Sequence, residues 1–163
     1  MPGRSARASE GRRAEYQREV LSFALAGEEY GIDIMRLREI IRPRPVTEVP
    51  RAPASVLGII GLRGEIIPVV DLRLRLRKGA APPGPPPKDA RVLIVSRDGG
   101  TYGLLVDLVH QVVRLREAEI EPPPAMLSAE GGELIAGIGR PRPDRLIILL
   151  DLDAVLGLSG GRA

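Results

Sequence analysis

Glu28-Glu-Tyr-Gly-Ile-Asp-Ile34 and Thr101-Tyr-Gly-Leu-Leu-Val-Asp107 are the two stretches whose comparison decides how this chain is read. Shifted by 72 positions (Tyr30 to Tyr102), they lay Gly31 on Gly103, Ile32 on Leu104 and Ile34 on Val106. The match extends outward in both directions. Leu21 and Phe23 fall on Leu93 and Val95, and Leu37, Ile40 and Ile41 fall on Val109, Val112 and Val113. Further on, IPVVDL (67–72) and ILLDL (148–152) repeat at an offset of 80 (Asp71 to Asp151), so the two halves differ mainly by loop insertion.

Each half carries several short β-prone runs. VLSFAL, EEYGIDI, VLGIIGL and EIIPVVDLRLRL make up the first set; RVLIVS, TYGLLVDLV, LIAGIG and RLIILLDL make up the second. Leu21, Phe23 and Leu25 alternate with Ser22 and Ala24, the period of a strand with one packed face. Gly27 in one half and Gly99-Gly100 in the other are placed as hairpin turns. Short strands with an apolar face must close or pack on another layer to hide it. The pattern predicts a mainly β fold of two small barrels or curled sheets of roughly 50 to 60 residues each, too small to be stable alone and therefore packed on a shared seam. Pro68 has no N–H for a ladder, which places its strand at an edge, at a strand start or at a bulge. Short helical turns are expected near Met35–Ile41 and Pro53–Leu57, and a closing helix over Leu152–Leu156 stopped by Gly157.

The 163 residues suffice for one compact domain or two very small ones. A disordered tail is expected over 1–18, and a proline-rich connector over 79–88, where GAAPPGPPPK holds five prolines. A short C-terminal tail follows at 159–163. No secretory signal is expected, and no apolar run approaches the roughly 20 residues that cross a bilayer.

The inventory for chemistry is thin. With no cysteine, disulfides, thiolate metal sites and cysteine nucleophiles are all excluded. His110 is the sole imidazole and lies among Leu108, Val109, Val112 and Val113, with no ligand spacing around it. Asp151 and Asp153 could be a carboxylate pair, yet Asp71 repeats the first of them, and a strand-end aspartate more simply caps backbone N–H groups. Gly58, Gly61 and Gly64 form no phosphate-cradling motif and instead suit tight turns or close backbone approach near Arg63. Neither catalysis nor a cofactor or metal is expected.

Basic residues cluster at Arg36, Arg38, Arg42, Arg44 and Arg51, and at Arg73, Arg75, Arg77 and Lys78. The second cluster alternates with Leu74 and Leu76 like a strand with one wet face. Such groups suit a solvated face or a docking surface for an acidic protein. A net charge of +3 and only four aromatic side chains (Tyr16, Phe23, Tyr30 and Tyr102) disfavour nucleic acid, although a small-barrel nucleic-acid module is the alternative.

EEYGIDIMRLREII (28–41), GIIGLRGEIIPVVDLR (58–73) and YGLLVDLVHQVVRL (102–115) closely resemble the CheW family of bacterial chemotaxis coupling proteins, over about residues 19–158. The resemblance implies two intertwined, five-stranded, SH3-like barrel subdomains and a non-catalytic adaptor. It implies as partners the cytoplasmic signalling tips of chemoreceptors and the regulatory domain of the histidine kinase CheA. By position, Leu37 and Glu39 correspond to the family's partner-contact segment, and Arg63 with Gly64 to its functional LRG turn. The implied location is the cytoplasm, at receptor clusters on the inner face of the membrane and without insertion into it. An adaptor of a non-flagellar chemosensory pathway would carry the same motifs.

Overall fold

The computed structural model describes residues 18–76, 84–125 and 132–157. Residues 1–17 of the N-terminal tail expected over 1–18, the C-terminal tail at 159–163, the connector residues 79–83, and Arg77 and Lys78 lie outside the described residues, whereas Arg18 opens the first strand.

Strands β1 (Arg18–Leu25) and β2 (Glu28–Asp33) form a hairpin, followed by a 3₁₀ turn at Ile34–Arg36 and by β3 (Leu37–Ile41). Strands β4 (Val56–Leu62) and β5 (Glu65–Asp71) form a second hairpin that runs into helix α1 (Leu72–Leu76). The second half repeats the plan with β6 (Arg91–Arg97), β7 (Gly100–Val106) and β8 (Leu108–Leu115). After a short β9 (Ile120–Glu121), it closes with β10 (Ile135–Arg142), β11 (Arg145–Leu150) and helix α2 (Leu152–Leu156).

The strands assemble into two sheets, one ordered β8-β1-β2-β11-β10-β9 and the other β3-β6-β7-β5-β4. Neither sheet closes on itself, so the expected SH3-like barrels are not formed. The edge strands of the second sheet, β3 and β4, share no ladder; an isolated bridge from Thr47 to Ile59 and side-chain contacts span the gap instead. Gly58 is required beside that bridge, because a Cβ on it would lie 2.3 Å from the carbonyl oxygen of Thr47. Nor does each half build its own sheet. The β1–β2 hairpin joins strands of the second half, and β6–β7 joins strands of the first, each through an antiparallel ladder (β1 on β8, β6 on β3) and a parallel contact: Tyr30 and Gly31 on Ile148 and Leu149, and Val69 to Asp71 on Gly103 to Leu105.

This exchange explains where the apolar residues go. Leu21, Phe23, Leu93, Val95, Leu104 and Val106 face a core shared by both sheets and both helices, which Leu72, Leu152 and Val155 also enter. Their alternating neighbours Val92, Ile94 and Leu105 fill a second core on the other face of one sheet, and Val20, Ile147 and Leu149 a third core on the other sheet. Strands buried on both faces read as continuous apolar runs, as RVLIVS and RLIILLDL do.

The basic-hydrophobic alternation at 73–76 is helix α1, not a strand. Pro53–Leu57 is a turn leading into β4, and the Met35–Ile41 segment is a 3₁₀ turn followed by β3. Pro68 lies in the part of β5 paired only to β4, and the ladder to β7 begins one residue later at Val69.

Candidate protein-interaction site

Leu62 and Glu65 pair at the end of the β4–β5 hairpin and leave Arg63 and Gly64 as a two-residue turn. Both turn residues have positive φ, +51° and +81°, the requirement of a type I′ turn, whose twist matches its strands. This turn projects Arg63 toward edge strand β3, where its Nη1 donates to Oε2 of Glu39. The Glu39 side chain is 26% exposed, whereas that of Arg63 remains 73% exposed despite the pairing. A guanidinium has five donors, so most of its hydrogen-bonding capacity stays available to a second carboxylate or carbonyl.

Of the four residues singled out from sequence, the structure therefore brings Glu39, Arg63 and Gly64 together. Leu37 is placed differently: it is half-buried and packs against the shared core. Sequence reasoning missed Ile66, 72% exposed next to the turn, and Ile40, 40% exposed on β3. It also passed over Glu65. The signal for Ile66 was its place beside Ile67 in β5, since alternation exposes one when the other is buried.

Among the described residues, most side chains of the basic clusters are already paired. Arg36 donates to the Ser96 carbonyl (2.9 Å) and to Asp153 (2.7 Å), and Arg44 to the Gly61 carbonyl (3.3 Å). Arg73 is paired with the buried carboxylate of Asp71 (3.2 Å), while Arg75 caps helix α2 by donating to the carbonyls of Val155 (2.9 Å) and Ala154 (3.0 Å). The aspartates once weighed as a carboxylate pair are structural as well. Asp151 accepts from the Ala154 N–H at the start of α2 (3.2 Å), and the bond from Arg36 draws the Asp153 carboxyl below its ordinary range. Among the described residues no group of His, Asp and Glu is arranged to hold a metal ion, and no helix is long and apolar enough to cross a membrane. A cavity of about 380 Å³ beneath the 43–46 segment is walled by Val46, Leu57, Ile60, Val69 and Leu105, and its one carboxylate, Asp71, is already bound to Arg73.

Two interlocked sheets that present a charged turn and isolated exposed isoleucines define a protein-contact scaffold. The CheW-like domain family model matches residues 19–159. The chemotaxis protein CheW of Helicobacter pylori is 35% identical over 156 residues, covering 94% of this chain and 92% of that one. That of Rhizobium meliloti is 37% identical over 145 residues, covering 85% and 86%. Among solved structures, the scaffolding protein TtCheW from Thermoanaerobacter tengcongensis superposes with a TM-score of 0.78 at 37% identity, covering 88% of this chain and 94% of that one. The chain belongs to the CheW family of chemotaxis coupling proteins, and it is a non-catalytic adaptor between chemoreceptors and the kinase CheA.

Proposed function

We propose that the chain performs this coupling through the surface formed by β3 and the β4–β5 turn, with Glu39 and Arg63 as its central pair, Gly64 shaping the turn and Leu37 anchoring β3 to the core. The reading rests on one observation: Arg63 is fixed at its base by a two-residue turn and on one side by Glu39, yet most of its side chain faces solvent. A charged group held in place and left exposed has its ordering cost already met before a partner arrives. The partner surfaces are the regulatory domain of CheA and the signalling tips of the receptors. The adaptor acts in the cytoplasm, recruited to receptor clusters beneath the membrane. Docking of both partners on one rigid body lets a shift at one interface change the population of active kinase at the other, with a linkage of about 1 to 3 kcal/mol.

The test is reconstitution of kinase autophosphorylation with a receptor signalling fragment, CheA and this protein. Arg63→Ala is expected to abolish most of the activation while leaving the thermal unfolding midpoint in place. Full activation by the variant would remove Arg63 from the site. Chemical-shift mapping with each partner in turn assigns Glu39 and Arg63 to the kinase or the receptor side.

A further inference from the structure

Strand β3 pairs with β6 through Leu37 on Val95 and then Glu39 on Ile94, so Arg38 is the extra residue of a β-bulge. In a regular strand, consecutive side chains leave on opposite faces, and only one of Arg38 and Glu39 could serve a given neighbour. Here both serve the same hairpin. Glu39 holds Arg63, the first residue of the turn; Arg38 lies with its Nη1 3.7 Å from Oε2 of Glu65, the residue after the turn. The same Nη1 donates to Oγ1 of Thr101 on β7 at 2.6 Å, which ties Arg38 to the body of the sheet. Charges of opposite sign thus cross twice between the strand and the hairpin, on either side of Gly64.

One such link leaves the hairpin end free to swing about it, whereas two fix its direction. We infer that Arg38 is a positioning residue for the partner site: through Glu65 and Thr101 it holds the β4–β5 turn over β3 and so sets the direction in which Arg63 is presented. The inference rests on the adaptor reading above. Arg38 and Glu65 have side chains 51% and 53% exposed, and a pair so open to water adds little to folding stability. Its consequence lies in orientation, and loss of the pair moves binding without moving the unfolding midpoint.

The test measures affinity of the full chain for the CheA regulatory domain and for a receptor signalling fragment. The proteins compared are wild type, R38A, R38K, R63A, R38A/R63A, R38E and R38E/E65R. Arg63→Ala should weaken binding to at least one partner by about tenfold or more. Arg38→Ala should weaken the same interaction by about two- to fivefold at an unchanged unfolding midpoint. It should have no further effect once Arg63 is gone, because a positioning residue has nothing left to position. Arg38→Lys should retain most of the affinity, and the exchanged pair R38E/E65R should recover most of what R38E loses. ¹⁵N relaxation at Nε of Arg63 should report faster motion in R38A with no partner present. An R38A variant that binds normally while R63A does not, or additive losses in R38A/R63A, overturns the positioning role and leaves the adaptor reading intact. A silent R63A overturns both.

Discussion

Among the described residues, three hairpins end in two-residue turns with positive φ at both positions: Ala26-Gly27, Arg63-Gly64 and Asp98-Gly99. Aspartate at the first position suits such a turn, whereas alanine and arginine carry the cost of a left-handed conformation. At Ala26 the N–H is held by the carboxylate of Asp107 (2.8 Å). At Arg63 the compensation is the pair with Glu39, and the strain falls on the contact surface proposed above, where the rule that local strain collects at functional sites would put it. Arg63→Asn should therefore keep or raise stability, by up to about 1 kcal/mol in chemical unfolding, and still lose kinase activation. If the loss of activation came with a loss of stability, the turn would be structural only. A different residue, Glu29, contributes to the response to acid. Arg145 holds it from β11 with bonds of 3.0 and 2.6 Å, Ser22 adds a hydroxyl, and the Arg145 bond draws the Glu29 carboxyl below the ordinary glutamate range. A lowered folded value means that this stability is fully present above the unfolded value of about 4.3 and is lost as pH falls through the folded one. Glu29→Gln should cost about 1 to 3 kcal/mol at neutral pH. The gap to wild type should stay constant down to about pH 5 and narrow below it, as urea unfolding across pH would show.

The elements divide by how local their causes are. Helix α2 was legible because every signal for it is adjacent: Asp151 caps it, Leu152, Val155 and Leu156 face inward, and Gly157 ends it. Helix α1 has the same place in the first half but was read as a strand, since the alternation of Arg73, Leu74, Arg75 and Leu76 mimics period two over so short a span. The repeat itself held the missing information: Asp71 and Leu72 match Asp151 and Leu152, and one helix implies the other. The bulge at Arg38 had no such sign, because it exists only against β6, where Glu39 pairs with Ile94, 55 residues along the chain. For the same reason the pairing of Glu39 with Arg63 could not be read from spacing, and the family resemblance singled out both residues without linking them. Strand β4 supplies a test at this scale. Gly58→Ala would drive a methyl group into the Thr47 carbonyl, at 2.3 Å in the present geometry, and backbone cannot yield as a flexible side chain can. The expected loss is about 1 to 3 kcal/mol in thermal or urea unfolding, with the 43–47 segment showing the largest change in amide exchange.

At the scale of the whole molecule, the repeat correctly announced two similar units but not how they are cut. Under the correspondence of β1 with β6, β2 with β7, β3 with β8, β4 with β10 and β5 with β11, the sheet order β3-β6-β7-β5-β4 becomes β8-β1-β2-β11-β10, which is the other sheet without β9. Each unit therefore takes its first hairpin from the opposite half of the sequence, something hydrophobic patterning does not encode, because a hairpin's apolar face is the same whichever sheet receives it. Among the described residues, the proposed contact surface is present only once. Where Arg63 and Gly64 turn the first half, the second half has Pro143 and Asp144, and the place of Glu65 is taken by Arg145, which is spent on Glu29. The symmetry of the frame is thus broken at the proposed contact site.

The hairpin exchange also determines how the gene can be divided. A polypeptide severed at Gly84 yields one piece ending after α1 and another beginning before β6, and neither contains a whole sheet. Each piece made alone should give the circular dichroism of a largely unstructured chain. Mixed in equal amounts, the pieces should recover the β spectrum and cooperative melting of the intact protein, with a midpoint that rises with concentration. Recovery of native structure by either piece alone would show that the sequence repeat, and not the interlocked pair of sheets, is the unit that folds.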